Sequence, residues 1–146
     1  MKELPGSVAA RIIDVNLNRL TEGLRVVEDV VRLELEDRRL LADIRKLRTQ
    51  VGRDVRVLRK QVIASRKSEA DLGRGDRFDR TKRKSLEDVL LANFKRAEES
   101  ARVLEEVLKV AEPALAGKFK AVRFRLYDLE REAVAASADS GRPDND

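Results

Sequence analysis

Apolar residues recur at alternating intervals of four and three along four separate stretches of this 146-residue chain. Because an α-helix completes a turn every 3.6 residues, this spacing lines the apolar side chains along one face, as in helices that pack side by side. The pattern predicts an all-α fold: a four-helix bundle of two duplicated antiparallel helical hairpins. The predicted core positions, helix by helix, are Ile13, Leu17, Leu20, Leu24, Val27 and Val31; Leu40, Ile44, Leu47, Val51, Val55, Leu58 and Val62; Leu90, Phe94, Ala97, Ala101, Leu104 and Leu108; and Leu115, Phe119, Val122, Leu126, Leu129 and Ala133.

The residues that separate these stretches are typical of helix starts. Ser7 is predicted to cap the first helix, and the second helix follows Asp37. The third helix is predicted to begin near Ser85, and Pro113 to begin the fourth, where its missing N–H costs little. The connections within each pair of helices are only a few residues long, so each pair should form an antiparallel hairpin.

These boundaries predict one helical domain over residues 1–137. Hairpin 1 covers about 7–65 and hairpin 2 about 85–137, and a connector at 66–84 joins them. Residues 138–146 are polar and rich in Asp, with too little apolar surface to offset the entropy lost on ordering, so we predict a disordered tail there.

Composition limits the chemistry open to the chain. It has no Cys and no His, while 40% of its residues are charged and 3% are aromatic. These absences exclude disulfides, thiolate nucleophiles, zinc fingers, iron–sulfur clusters and every site that needs imidazole. The remaining carboxylates, Arg, Lys, Asn and hydroxyl groups suit phosphate binding, Mg²⁺ binding, electrostatic catalysis or no chemistry at all.

Partners and location follow from hydropathy and charge. No apolar run approaches the roughly 18 residues that a membrane span needs, and the first six residues carry no apolar signal segment, so we expect a cytoplasmic protein without membrane contact. The net charge of +5 is concentrated in residues 53–84, which contain 12 basic and 5 acidic residues. Acidic residues are interleaved there and Phe78 is its one aromatic residue, so we interpret the segment as a solvated connector rather than a nucleic-acid surface.

The two predicted hairpins resemble each other at polar positions as well as apolar ones. The motif Asn-x-x-Arg-x-x-Glu-x-x-Arg-Val-x-Glu occurs twice, 77 residues apart, and the second helices agree at a shift of 75. We interpret this as an internal duplication, with chance similarity of Arg/Glu-rich helices as the alternative. The repeated polar residues are Asn16, Arg19, Glu22, Arg25 and Glu28 in the first copy and Asn93, Arg96, Glu99, Arg102 and Glu105 in the second.

The repeated polar residues admit two interpretations. Neighbours three apart on a helix can pair, so a ladder of solvated Glu–Arg pairs is one of them. Exposed pairs stabilise a fold by only a few tenths of a kcal/mol each, which favours the other: a composite site for a phosphorylated or carboxylated ligand between the hairpins. Gly23 aligns with Ser100, and a small residue in both copies predicts the close approach of a helix.

Five longer segments carry motifs beyond the repeat: residues 14–19 (DVNLNR), 22–29 (EGLRVVED), 91–99 (LANFKRAEE), 102–106 (RVLEE) and 119–127 (FKAVRFRLY). In this order they resemble a known family, the helical module fused N-terminally to the thiamine-phosphate synthases of many bacteria. The resemblance extends from about residue 11 to residue 130. The connector departs from the family pattern, because Arg66-Lys67-Ser68 stands where relatives have Arg-Asp-Thr, and Lys67 reverses a charge.

The resemblance implies an alternative hydroxymethylpyrimidine-phosphate kinase that uses ATP and Mg²⁺, with a phosphorylated pyrimidine as substrate and thiamine-phosphate synthase as a partner. By position, Glu22 and Glu99 become candidate catalytic residues. Three carboxylates become candidate Mg²⁺ ligands: Asp14, Glu28 and Glu105. The candidate substrate- and phosphate-binding residues are Asn16, Arg19, Arg25, Asn93, Arg96 and Arg102.

Two other functions stay open at this point. One is a non-catalytic phosphate-binding or regulatory module of thiamine metabolism. The other is a helical mutase of the chorismate type, in which Arg residues clamp a dicarboxylate without Mg²⁺. The sequence also leaves open whether the hairpins pack within one chain or are exchanged in a homodimer.

Overall fold

The computed structural model describes residues 7–66, 68–74 and 82–140. Within these ranges the chain forms four α-helices and no strand, which confirms the all-α prediction. The last helix continues to residue 140, three residues past the predicted domain boundary, and 141–146 of the predicted tail lie outside the described residues. The helices are α1 (Val8–Val30), α2 (Arg38–Val62), α3 (Leu86–Ala111) and α4 (Pro113–Ser140).

Three helices begin at side-chain caps. The hydroxyl of Ser7 accepts a hydrogen bond from the amide of Ala10 at 3.1 Å, and Ser85 does the same for the amide of Asp88 at 3.1 Å. The carboxylate of Asp37 accepts from the amide of Leu40 at 3.0 Å. Each cap satisfies an amide that has no partner inside the helix, at a gain of about 1 kcal/mol. The helix starts predicted at Ser7, Asp37, Ser85 and Pro113 are therefore confirmed.

The turn between α1 and α2 is tight and unusual. α1 widens into a π-helical segment, Val31–Leu35, and Glu36 then adopts a left-handed conformation with φ 52°. The amide of Glu36 donates to the carbonyl of Val31 at 2.9 Å. A left-handed residue after a helix reverses the chain while its amide satisfies a terminal carbonyl, and α2 starts two residues later.

The core lies between the predicted apolar faces. Every predicted core position is buried except Leu115, which is only partly buried, while Ala116 beside it is buried. Phe94 and Phe119 are the largest fully buried side chains, and aliphatic residues fill the rest of the core. The heptad spacing therefore identified the buried face of all four helices.

Contacts between distant residues give the helix directions. Glu28 near the end of α1 contacts Arg45 near the start of α2, whereas Asp14 near the start of α1 contacts Arg66 beyond the end of α2. The two helices therefore run antiparallel. Likewise, α4 pairs antiparallel with α3, because Glu105 contacts Arg123 late in α3 and early in α4, and Glu87 contacts Ser137 at the opposite ends.

Helices α1 and α3 are in close contact at Gly23. A Cβ atom on Gly23 would lie 3.1 Å from the carbonyl oxygen of Asn93 and 3.5 Å from the Cβ of Ala97. The small residue predicted to allow close helix packing therefore does so, at backbone-to-backbone distance. Near this contact, Asn16 and Arg19 of α1 come close to Asn93, Arg96 and Glu99 of α3.

Candidate functional site

A cavity of about 530 Å³ opens between α1 and α3 next to this contact. We call it the α1–α3 groove. Five of the predicted site residues line it, and they come from both copies of the repeated motif. Its lining comprises Asn16, Arg19, Arg83, Ala92, Asn93, Lys95, Arg96, Glu99, Ser100 and Val103.

An ion pair joins the two copies beside the groove. Arg96 Nη2 donates to Glu22 Oε2 at 2.8 Å, 74 residues away in the sequence. Both side chains are substantially exposed, and such a pair adds little to stability. The structure therefore brings Glu22 and Arg96 together at a surface where their charges are accessible to a ligand.

The paired asparagines adopt the same arrangement in both copies. Asn16 Nδ2 donates to the carbonyl of Ile12 at 2.9 Å, and Asn93 Nδ2 donates to the carbonyl of Val89 at 2.8 Å. These bonds anchor each side chain to the preceding helical turn. Each amide oxygen is then available as an acceptor, and both residues line the groove.

A second cavity of about 550 Å³ adjoins the groove and shares Asn16, Arg19 and Val103 with it. We call it the connector cavity, because residues 70–72 of the connector form one wall. Its remaining lining is largely apolar, with Val8, Ile12, Val15 and Leu72. An apolar wall beside a few charged groups is the usual composition of a small-molecule site.

A third and smaller cavity of about 240 Å³ shares Arg19 with the other two. Here the buried carboxylate of Asp14 accepts two hydrogen bonds from Arg66, from Nε at 2.8 Å and from Nη2 at 2.9 Å. We call this space the Arg66 cavity. Its lining comprises Arg11, Asp14, Val15, Asn18, Arg19, Arg66 and Asp71.

The other predicted site residues lie outside these cavities. Glu28 is buried against Arg45 and Arg48, at 2.8 and 2.6 Å. Burial alone would raise the pKa of Glu28. The hydrogen bonds from the two guanidinium groups outweigh this effect and hold the pKa below its usual value. Glu105 is buried against Arg123. Arg102 pairs with Glu106 at 3.3 Å, and Arg25 is exposed.

The three carboxylates predicted as Mg²⁺ ligands do not converge. Asp14, Glu28 and Glu105 are paired with separate Arg residues, and Glu105 lies on α3 whereas the other two lie on α1. Over the part of the chain that the structure describes, no three carboxylates are grouped so that they could hold a metal ion. A magnesium centre built from protein side chains alone therefore does not fit these residues.

Two carboxyl groups next to the groove were not predicted: buried Glu98 and partly buried Glu130. Lys95 Nζ lies 3.1 Å from Glu98 Oε1 on α3 and 3.3 Å from Glu130 Oε1 on α4. Burial raises the pKa of Glu98 to about 8, and a hydrogen bond with Glu130 adds to the rise, which Lys95 only partly opposes. Glu98 therefore favours its protonated form near neutral pH, in which its carboxyl proton can be shared with Glu130.

This arrangement predicts a stability that falls as pH rises. Between pH 4.5 and about 8, the folded chain holds a proton at Glu98 that the unfolded chain has released, so the free energy of unfolding decreases across that range. Glu98→Gln mimics the protonated form. We expect this variant to stay close to the parent at pH 5 and to exceed its free energy of unfolding at pH 9 by more than about 1 kcal/mol, since each unit of pKa rise corresponds to about 1.4 kcal/mol.

Urea denaturation at the two pH values measures this difference. Glu106→Gln is the matched control, because Glu106 is an exposed carboxylate on the same helix and its pKa is lowered by Lys109. It should give no gain at pH 9. Equal effects of Glu98→Gln at pH 5 and pH 9 would contradict the shared proton.

Sequence reasoning missed two features of this region. Arg66 was noted only as a position in the connector, and its contact with Asp14 spans 52 residues, which no helical periodicity can reveal. The Glu98–Glu130 pair joins two helices in the same way. The one available signal was Arg66 at the Arg position of the family's connector motif.

Comparison with known proteins identifies the relatives of the chain. The ThiD2 family model matches residues 11–132. The thiamine-phosphate synthase of Synechococcus sp. (strain CC9605) is 40% identical over 134 residues, which cover 91% of this chain and 37% of that protein. The thiamine-phosphate synthase of Gloeobacter violaceus is 40% identical over 128 residues, covering 87% of this chain and 37% of the relative.

The chain spans a little over one third of the length of these curated relatives. No solved structure matches it. None of the helices in the described ranges contains an apolar stretch of the length that spanning a membrane requires.

Proposed function

The chain belongs to the ThiD2 family, and from that premise we propose that it transfers a phosphoryl group from ATP to hydroxymethylpyrimidine monophosphate in thiamine biosynthesis. The observation that carries this proposal is the α1–α3 groove, where Arg19 and Arg96 from the two halves lie with Asn16, Asn93 and Glu99. These groups match a phosphorylated, amine-bearing heterocycle in charge and in hydrogen bonding.

Each part of the site has a role in this reaction. Arg19 and Arg96 neutralise the phosphate groups, and the amide oxygens of Asn16 and Asn93 accept from the pyrimidine amine. The apolar wall of the connector cavity packs against the ring. A phosphate oxygen of the pyrimidine substrate attacks the γ-phosphorus of ATP, the bond from that phosphorus to the β–γ bridging oxygen breaks, and ADP leaves with the electron pair. Positioning and positive charge provide most of the catalysis of such a step.

Mg²⁺ is proposed to enter bound to ATP rather than to a site built by the protein. Magnesium is commonly held by substrate phosphates with one or two carboxylates, and it neutralises the charge of those phosphates. Glu99 lines the groove and Glu22 lies beside it; both are exposed, and we propose them as the carboxylates that contact such a complex.

We also infer that the helices form one four-helix bundle of two duplicated hairpins. Two contacts support this, because they recur at the repeat spacing: each Asn bonds to the carbonyl four residues before it, and Glu28–Arg48 in the first hairpin corresponds to Glu105–Arg123 in the second. In such a bundle the groove lies near a pseudo-twofold axis between α1 and α3.

We propose thiamine-phosphate synthase as the partner enzyme that consumes the product. In the two relatives from Synechococcus and Gloeobacter, the region that matches this chain is part of a longer polypeptide called thiamine-phosphate synthase. A kinase that makes the pyrimidine pyrophosphate would then supply an enzyme that consumes it. Whether the chain acts as a monomer or as a homodimer does not alter this proposal.

Turnover tests the proposed activity directly. Purified chain with Mg²⁺, ATP and hydroxymethylpyrimidine monophosphate should form ADP and the pyrimidine pyrophosphate in equal amounts, measured by coupled ADP detection and by chromatography. We expect Arg19→Ala and Arg96→Ala each to lower kcat/KM by about tenfold or more, the loss of one charge contact in the transition state. Arg32→Ala, which removes a surface Arg paired with Asp29, should retain full activity.

Other outcomes identify the alternatives. Binding of the pyrimidine phosphate without ADP formation would indicate a regulatory module and overturn the kinase proposal. Affinity for a dicarboxylate that does not depend on Mg²⁺ would indicate the mutase. Equal losses of activity in Arg32→Ala and Arg19→Ala would contradict the assignment of the groove as the active site.

A further inference from the structure

We propose that the Arg66 cavity is the polyphosphate-binding subsite of the chain, with Arg66, Arg11 and Arg19 as its ligands. The inference rests on the proposed function for the identity of the nucleotide, but the subsite itself is argued from its own geometry. The chain has no Gly-rich phosphate-binding loop, so a nucleotide must be held by some other device, and clustered guanidinium groups are the main alternative for phosphate.

The position of Arg66 is fixed from two directions. Its amide donates to the carbonyl of Ile63 at 3.1 Å within a 3₁₀ turn whose last residue, Ser65, is fully buried. Its side chain donates to both oxygens of Asp14, which is itself buried in α1. A guanidinium held in this way loses little conformational entropy when it binds an anion.

Arg66 keeps donors for a ligand after it has paired with Asp14. A guanidinium carries five N–H groups, and the contact with Asp14 uses Nε and one N–H of Nη2. Both N–H groups of Nη1 and the second of Nη2 remain on the edge that fits a phosphate bidentately. The side chain is about 41% exposed and lines the cavity, so this edge is accessible.

The charge around the cavity favours an anion. Three Arg side chains and two carboxylates line it. Asp14 is already paired with Arg66, and Asp71 Oδ1 accepts from the amide of Gly73 at 2.8 Å. A fourth guanidinium, Arg59, donates to Asn18 in the lining at 3.4 Å. Three guanidinium groups against two carboxylates give the lining a net positive charge, and Arg59 adds to it from beside the cavity.

The volume of each cavity indicates which chemical groups it could hold. At about 240 Å³ the Arg66 cavity is smaller than the roughly 300–1,000 Å³ of drug-sized ligand sites, so it suits phosphate groups better than a base with its sugar. The larger connector cavity and the α1–α3 groove adjoin it at Arg19. A phosphate chain in the Arg66 cavity would thus extend past Arg19 toward a substrate in the groove.

Inorganic tripolyphosphate is the probe, because it carries the phosphate chain without base or sugar. Calorimetric titration of the full chain, without pyrimidine substrate, should show binding that weakens about tenfold in Arg66→Met and in Arg11→Met. Arg11→Met leaves the Asp14–Arg66 pair intact, so it tests the subsite even if Arg66→Met impairs folding. Arg74→Met is the matched control, since it removes the same charge from the same connector at a residue outside the cavity lining, and it should change affinity less than threefold.

The outcomes separate this inference from the kinase proposal. Tripolyphosphate binding that depends on Arg66 and Arg11, in a chain that forms no ADP, would support the subsite and overturn the kinase. ADP formation with an unchanged KM for ATP in Arg11→Met and Arg66→Met would overturn the subsite and leave the kinase. If Arg74→Met weakened tripolyphosphate binding as much as the other two variants, the loss would reflect net charge alone. That result would also overturn the subsite.

Discussion

Replacing Glu105 with Ala is expected to lower the free energy of unfolding by about 2–3 kcal/mol, because it leaves a buried guanidinium without its carboxylate. Glu105 and Arg123 are 6% and 10% exposed, and Arg123 donates to Glu105 Oε2 from Nε at 3.1 Å and from Nη2 at 3.0 Å. Arg123 keeps contacts with the hydroxyl of Tyr127 and the ring of Phe124, which limits the loss. Urea or guanidinium denaturation at neutral pH measures it.

The repeat provides the matched control for this variant. Glu28→Ala removes the corresponding carboxylate in the first hairpin, but its partners Arg45 and Arg48 are 50% and 37% exposed and regain water when it is lost. We therefore expect a cost of only about 1 kcal/mol there. The double variant Glu105→Leu/Arg123→Met should recover most of the loss, since apolar side chains of similar volume can replace a buried pair. Equal costs at Glu28 and Glu105 would contradict the role of burial.

The helices could be predicted because the signals for them are local. A seam with four-three spacing, a Ser or Asp cap and a Pro at the first turn all act within a few residues. Leu115 is the exception: it continues the four-three spacing, yet it is only partly buried, and Ala116 is the residue buried there. At a helix start, the phase of the apolar face depends on how the chain enters the helix, which the repeat pattern does not specify.

The site could be predicted only in part, because its decisive contacts are between distant residues. The motif indicated that Asn16, Arg19, Asn93, Arg96 and Glu99 belong together, and they line one groove. It could not separate these from Arg25 and Arg102, which share the motif but lie elsewhere. Helical phase places a residue on a face, whereas the neighbouring helix decides whether that face is a cavity, a core or solvent.

The two copies differ at polar positions that lie next to the cavities. At the repeat spacing, Asn18 corresponds to Lys95 and Thr21 to Glu98. In the first copy Asn18 and Thr21 accept hydrogen bonds from Arg59 beside the Arg66 cavity. In the second copy the corresponding residues form the Lys95–Glu98–Glu130 cluster. The residues beside the proposed polyphosphate subsite are therefore not repeated in the second copy.

Replacing Gly23 with Leu is expected to cost about 3 kcal/mol of unfolding free energy, the upper end for an overpacked core position. Even the Cβ atom would meet a backbone carbonyl at 3.1 Å, and neither the Asn93 carbonyl nor Ala97 can turn aside as a long side chain could. α3 would have to move away from α1. Since Asn93 and Arg96 move with α3, we also expect the variant to lose the Arg96–Glu22 pair and with it the turnover proposed for the groove.

Gly52→Leu is the control for Gly23→Leu. Gly52 lies inside α2, is exposed, and has no atom within 4 Å of the position that a Cβ would take. A side chain there meets open space and removes the entropic cost of a helical Gly, so the variant should gain up to about 1 kcal/mol. Denaturation of both variants, with ADP formation measured at a temperature where each is folded, separates the effects. A stable Gly23→Leu variant with full turnover would mean that the close contact of α1 with α3 does not set the geometry of the groove.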